Sequence, residues 1–144
     1  MGFGVSGSTA VIFLGVLIAS GTLYTAAAGS AERISDARDT NTEDLLDRQN
    51  TELEITKAVY NDPNVEINVT NEGTTTLSVN GTTLLVDNEY VEITSTNVEG
   101  DLATDVWGAG QTLVIDASVD EEPKRVTVVA ENGITASNST IEVN

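Results

Sequence analysis

Two hydrophobic patterns share this chain. Residues 10–19 read Ala-Val-Ile-Phe-Leu-Gly-Val-Leu-Ile-Ala, and no charged side chain occurs before Glu32. The uncharged stretch over residues 9–29 makes about 21 residues of helix, or about 30 Å, the depth of a bilayer core. From Thr51 the period becomes two. Leu53, Ile55 and Val59 alternate with polar neighbours until Pro63, and Val65, Ile67 and Val69 alternate with Glu66, Asn68 and Thr70. Such alternation predicts half-buried strands. Further strands are expected around Leu77–Val79, Leu84–Val86, Val91 and Ile93, Leu113–Ile115, Val126–Val129, and at Ile134 or Ile141–Val143. Asn71-Glu72-Gly73 and Asn132-Gly133 are turn signals, and Asn80-Gly81 predicts a tight hairpin. About seven or eight short strands with turns every 8–12 residues is the pattern of an immunoglobulin-like β-sandwich.

Between the two patterns, Ile34, Ala37, Asn41, Leu45 and Arg48 keep a four/three rhythm, and no proline precedes Pro63. One long helix over about residues 5–50 is expected, on the order of 60–70 Å. Asn41 and Arg48 spoil any coiled-coil seam. The fold class is therefore mainly β, a sandwich preceded by one long N-terminal transmembrane α-helix. The expected divisions are a membrane helix at 1–30, a helical spacer at 31–50 and a sandwich domain at 51–144.

Three fates fit the apolar segment. A cleaved secretory signal normally carries a basic n-region, and a pilin-type signal needs a basic residue before its cut. Residues 1–8, Met-Gly-Phe-Gly-Val-Ser-Gly-Ser, hold neither. An uncleaved anchor is the reading adopted, with a buried core helix as the remaining alternative. Gly15, Ala19, Thr22, Ala26 and Gly29 recur at four/three spacing on one face. Small residues let backbones approach in lipid, so this stripe is a candidate helix–helix packing face, for a homodimer among other partners. The plainer reading is that Gly, Ala and Thr are common in membrane helices.

Charge narrows the partners. The chain carries 23 acidic against 6 basic residues, a formal net charge of −17. No basic patch exists to hold phosphates, which argues against nucleic acid. An acidic surface of this kind suits a chain hydrated in concentrated salt, where self-repulsion is screened. There is no Cys and no His. Disulfides, Cys/His zinc sites and Cys–His or Ser–His–Asp nucleophiles are thereby excluded. No carboxylate pair stands out, so an enzyme is not expected, and no cofactor or metal is assigned.

Sidedness has two opposed signals. Arg33 and Arg38 follow the span, which alone would place the C-terminal part inside. Asn68-Val-Thr, Asn80-Gly-Thr and Asn138-Ser-Thr are N-glycosylation sequons, which imply an outer location when used. Each is weak in a chain rich in Asn and Thr. The loop over residues 97–105 carries oxygen ligands of the kind calcium takes but lacks ordered ligand spacing, so a surface loop is the simpler reading. Trp107 reads as a core or corner aromatic and not as a sugar-stacking platform.

The opening MGFGVSGSTAVIFLGVLIASGTLYTA, the AERISDAR junction, TELEITKAVY with VEINVTNEGTTTL, TTLLVDNEYV and the WGAGQTL segment resemble one family. It is the archaellum stator protein F family (archaeal flagellar protein F) in its haloarchaeal form. The resemblance spans nearly the whole chain, through the order of loose motifs. It implies one membrane helix and a sandwich in the pseudo-periplasm that docks on the surface-layer protein, partnered by stator protein G, other motor components and membrane lipid. No partner-contact residue carries over by position. The rival expectation is a pilin- or archaellin-like filament subunit with the helix as fibre core. A third is a surface-anchored module binding sugar or metal.

Overall fold

The computed structural model describes residues 2–144. They form two compact units, one ending at Glu43 and the other running from Asp44 to Asn144.

The first unit holds most of α1 (Gly2–Gln49). Val11, Phe13, Leu14, Leu17 and Ile18 are all exposed, so the helix is apolar around its circumference. A helix of that kind needs a non-aqueous environment or another protein around it. Its hydroxyls do not disturb the pattern. Ser8, Thr9, Ser20, Thr22 and Ser30 donate to the carbonyls of Gly4, Val5, Val16, Ala19 and Ala26 at 2.8–3.0 Å. Each polar group is thus satisfied inside the helix, as lipid requires. Among the described residues, α1 is long and apolar enough to cross a membrane.

The second unit is a β-sandwich with the last turn of α1 at its start. β1 (Leu53–Asn61) and β2 (Asn64–Asn71) form a hairpin through Asp62-Pro63, whose peptide bond is cis. Two very short strands, β3 (Leu77–Ser78) and β7 (Val106–Trp107), pair only with each other. β4 (Thr83–Val86) and β5 (Glu89–Val91) form a second hairpin, followed by β6 (Ile93–Val98). β8 (Thr112–Ser118), β9 (Val126–Val129), β10 (Thr135–Asn138) and β11 (Glu142–Val143) complete the chain. One sheet has the order β11-β1-β2-β8-β6 and the other β10-β9-β4-β5. All pairings are antiparallel except β1 with β11.

The alternating residues meet between the sheets. Ile67 lies beside Ile115 and Val69 beside Leu113, and all four are fully buried against Leu84 and Val128 from the other sheet. On the outer face the same register sets Glu66 beside Asp116, which accepts a 2.8 Å hydrogen bond from Ser95 Oγ. Trp107 is fully buried, as its sequence context predicts.

Two local expectations are corrected. A bulge between Ile55 and Lys57 shifts the phase of β1. Ile55, Ala58 and Tyr60 therefore join the core cluster and Val59 does not. Asn80-Gly81 is not the turn of a hairpin, because β3 pairs with β7 while β4 pairs with β5 and β9. The tight hairpin turn is Asp87-Asn88, with φ of 52° and 72°. Positive φ at both central residues is the turn geometry whose twist matches that of paired strands.

Candidate functional site

A helix end leaves its last four carbonyls without intrahelical partners. At the end of α1 the Leu46 carbonyl accepts the Asn50 amide, and the Asp47 carbonyl is met by side chains of the sandwich. Thr51 Oγ1 donates to the Asp47 carbonyl at 2.6 Å, and Thr75 Oγ1 donates to the same oxygen at 3.2 Å. The Asn50 carbonyl accepts the amides of Thr74 at 2.8 Å and Thr75 at 3.3 Å. The Glu52 carbonyl accepts those of Glu72 and Gly73. Residues 47–52 are thus laced to the 72–75 loop, which lies twenty or more positions further along the chain.

The contact is close because residue 73 is glycine. A Cβ there would overlap the Asn50 carbonyl oxygen and lie 2.6 Å from the Glu52 nitrogen and 2.9 Å from Thr51 Cα. All three neighbours are backbone atoms, so none can swing away. Gly73 is used here for close approach and not for an unusual φ, since its φ is not positive.

Asn71 holds the loop in place. It is fully buried. Its Nδ2 donates to the carbonyls of Thr75 at 2.8 Å and Trp107 at 3.5 Å, and its Oδ1 accepts the Gly73 amide at 3.1 Å. Its backbone amide donates to Gln111 O, and its carbonyl accepts from Gly110 N at 2.7 Å. Thr51, also buried, accepts a 2.7 Å bond from Asn132 Nδ2. A buried polar side chain with every valence used fixes geometry, because any movement strands a desolvated group. The last turn of α1 therefore belongs mechanically to the sandwich. Sequence reasoning found only a turn at Asn71-Glu72-Gly73. Nothing local announces what a glycine's missing side chain makes room for.

The other candidate residues are scattered. Gly15, Ala19, Thr22, Ala26 and Gly29 lie on α1, and a Cβ on Gly15 or Gly29 would meet nothing within 4 Å. Asn68 is in β2, paired on both sides, and its Oδ1 is buried without a partner. Asn80 is exposed in the turn after β3. Asn138 closes β10, with its Nδ2 donating to Ile55 O at 3.5 Å and its Oδ1 accepting Thr140 N at 2.7 Å. In the 97–105 loop the oxygens of Asn97 and Asp101 serve their own turns, and that of Asp105 serves the turn after β3. Asn97 Oδ1 accepts Gly100 N, Asp101 Oδ1 accepts Ala103 N, and Asp105 Oδ1 accepts Asn80 N. Among the described residues no three acidic side chains converge on one point.

The family model of archaeal-type flagellin matches residues 2–140. No curated protein matches the chain. Among solved structures, archaellum periplasmic stator protein FlaG from Sulfolobus acidocaldarius is similar at 20% identity and a TM-score of 0.46, over 61% of this chain and 97% of that one. The archaellum periplasmic stator protein complex FlaF and FlaG from the same organism is similar at 21% identity and a TM-score of 0.44, over 61% of this chain and 87% of that one.

Proposed function

We propose that this chain, which belongs to the archaeal-type flagellin family, is a non-enzymatic, single-pass stator component of the archaellum motor. Residues 9–29 anchor it in the membrane, and the sandwich stands outside the cell, in the pseudo-periplasm, docked on the surface-layer protein. Stator protein G, other motor components and membrane lipid are its partners. The Gly15–Ala19–Thr22–Ala26–Gly29 face is where its helix packs on a second helix, from another copy or from the motor. The acidic surface keeps it hydrated in concentrated salt, as in a halophile.

The observation that carries this reading is the junction at Asn50, Gly73 and Asn71. A stator resists torque, so load entering at its foot must reach its head without being lost in a hinge. The Asp47 carbonyl in the last turn of α1 and the Asn50 and Glu52 carbonyls just after it are bonded within the sandwich unit, which supports a head entered through fixed backbone in place of a flexible linker. The apolar helix itself also suits the rival, a filament subunit with α1 in a fibre core, and the flagellin family includes that alternative by name.

Crosslinking in native envelopes, with the joined chains identified by mass spectrometry, tests the proposal. Surface-layer protein and motor components are expected among the products, with the chain retained in the membrane fraction after filaments are sheared off. Recovery in the sheared filaments, starting at a residue beyond Gly2, would establish the filament subunit instead.

A further inference from the structure

We infer that Asn80 is the glycan attachment site of this protein and that Asn68 and Asn138 are not. The inference rests on the outer location of the sandwich proposed above. A transferase must reach the asparagine amide and the hydroxyl two residues on, so the decisive quantity is how much structure has to open. For Asn68 the answer is most of a sheet. Its strand is paired with β1 on one side and β8 on the other, and its amide oxygen is enclosed. For Asn138 the β9–β10 ladder must part at Val126, and both ends of the side-chain amide must release their bonds.

Asn80 differs on each count. Its side chain is exposed and makes no hydrogen bond among the described residues. Thr82 is buried, but its hydroxyl donates only to Ser78 O at 3.0 Å, inside the same five-residue turn. The turn is otherwise tied by Ser78 and Asn80 to the carboxylates of Asp105 and Glu131, by the Val79 amide to the Asp105 carbonyl, by the buried Val79 side chain, and by the two-residue β3–β7 pair. Opening residues 78–82 therefore parts only the end of the two-residue β3–β7 pair and presents the whole sequon while the β4–β9 and β4–β5 ladders stay paired. Local openings of that size cost far less than unpairing a central strand.

In the transfer, Asn80 Nδ2 bonds to the anomeric carbon of the sugar. The bond from that carbon to the phosphate oxygen of a glycosyl phospholipid donor breaks, and its electron pair leaves with the phosphate. The amide proton passes to a base of the transferase. The attached sugar would stand over the groove that residues 79–83 share with residues 90–96, beside the edge strand β6. β6, Ile-Thr-Ser-Thr-Asn-Val, carries no charge. Covering an uncharged edge blocks unwanted strand addition.

The test is intact-mass and glycopeptide analysis of the full chain from native membranes, for wild type and for Asn68→Gln, Asn80→Gln and Asn138→Gln. Glutamine is not an acceptor and keeps the amide. We expect a sugar mass that disappears in Asn80→Gln alone. A sugar on Asn68 or Asn138 with Asn80 bare would overturn the inference. Location is read separately. The chain has no cysteine, so Glu121→Cys in an exposed loop reports whether an impermeant maleimide reaches the sandwich in intact cells. Labelling without any glycan defeats the Asn80 inference and leaves the outer location standing. Absence of both defeats the two together.

Discussion

Phe13 and Leu14 are 68% and 59% exposed, whereas Leu113 and Ile115 are 0% exposed. The side chains have similar chemistry and opposite fates. In the sandwich, period-two alternation delivers each apolar group to the space between two sheets, and the chain satisfies its own hydrophobic demand. In α1 the apolar groups point in every direction, and no fold of a single helix can cover them. The same difference appears in the polar groups. The sandwich encloses Asn71 and Thr51 and gives each a full set of partners. The helix hides its hydroxyls by turning them onto its own carbonyls. One region is self-sufficient and the other is built to be completed by its surroundings.

The sharpest way to break that contrast is to remove equal amounts of apolar matter from both regions. Trp107 is the only tryptophan and is buried in the sandwich, so its fluorescence during denaturant unfolding in detergent reports that region alone. Leu113→Ala is expected to lower the stability of the sandwich by about 2–5 kcal/mol, from lost transfer energy and the cavity left behind. Leu14→Ala, on α1, should change it by less than about 0.5 kcal/mol. Equal losses would mean that α1 contributes to the core, and the division into two energetic regions would fall.

A smaller effect is expected where the chain enters the sandwich. Gly73→Ala forces a methyl group into the Asn50–Glu52 backbone and should cost about 1–3 kcal/mol. Its distinctive sign is local. Amide exchange at Thr74 and Thr75, which donate to Asn50 O, should accelerate more than exchange in β8. Asn132→Ala removes the donor to Thr51 Oγ1 and should cost about 0.5–1.5 kcal/mol. If exchange at Thr74 stays slow in both variants, the end of α1 is held by something other than this lattice.

What the sequence alone reveals of this fold is itself a matter of periodicity. Val65, Ile67 and Val69 alternate without interruption, and all three are fully buried. Continuous apolarity marked α1 equally well. A β-bulge, by contrast, adds one residue without changing composition, so β1 looked regular while its phase shifted after Ile55. Two-residue strands such as β3 and β7 are too short to show any period, and their pairing joins Leu77 to Trp107 across thirty positions. The Asn-Gly rule misplaced the tight hairpin because Asp87-Asn88 also accepts positive φ at both positions. The junction was the least legible part. Asn71 and Gly73 matter through what they touch, and their partners at Asn50, Thr51 and Trp107 are distant in sequence.

The smallest expected effect is a difference in pH response between the two regions. The Tyr60 hydroxyl is held above its ordinary pKa, first by desolvation on burial, then by donating to Asp62 Oδ1 at 3.2 Å, and then by the negative charges of Asp62, Glu122 and Asp120. The native sandwich therefore keeps that proton to higher pH than the unfolded chain, whose tyrosines titrate near about 10. Between those two values the native state binds more protons, so stability falls as pH rises. Below about pH 10 the contribution is complete, and it is lost as the pH climbs through the folded value. Tyr60→Phe removes the titrating group, so its unfolding midpoint should decline less than that of wild type between pH 9 and pH 11 (roughly the window around the reference value). Helical signal from the apolar part of α1 should be insensitive to the substitution, because Tyr60 lies in β1 and packs in the sandwich core. A wild-type and Tyr60→Phe pair with parallel alkaline profiles would show that the Tyr60–Asp62 bond does not shape the pH response of the sandwich.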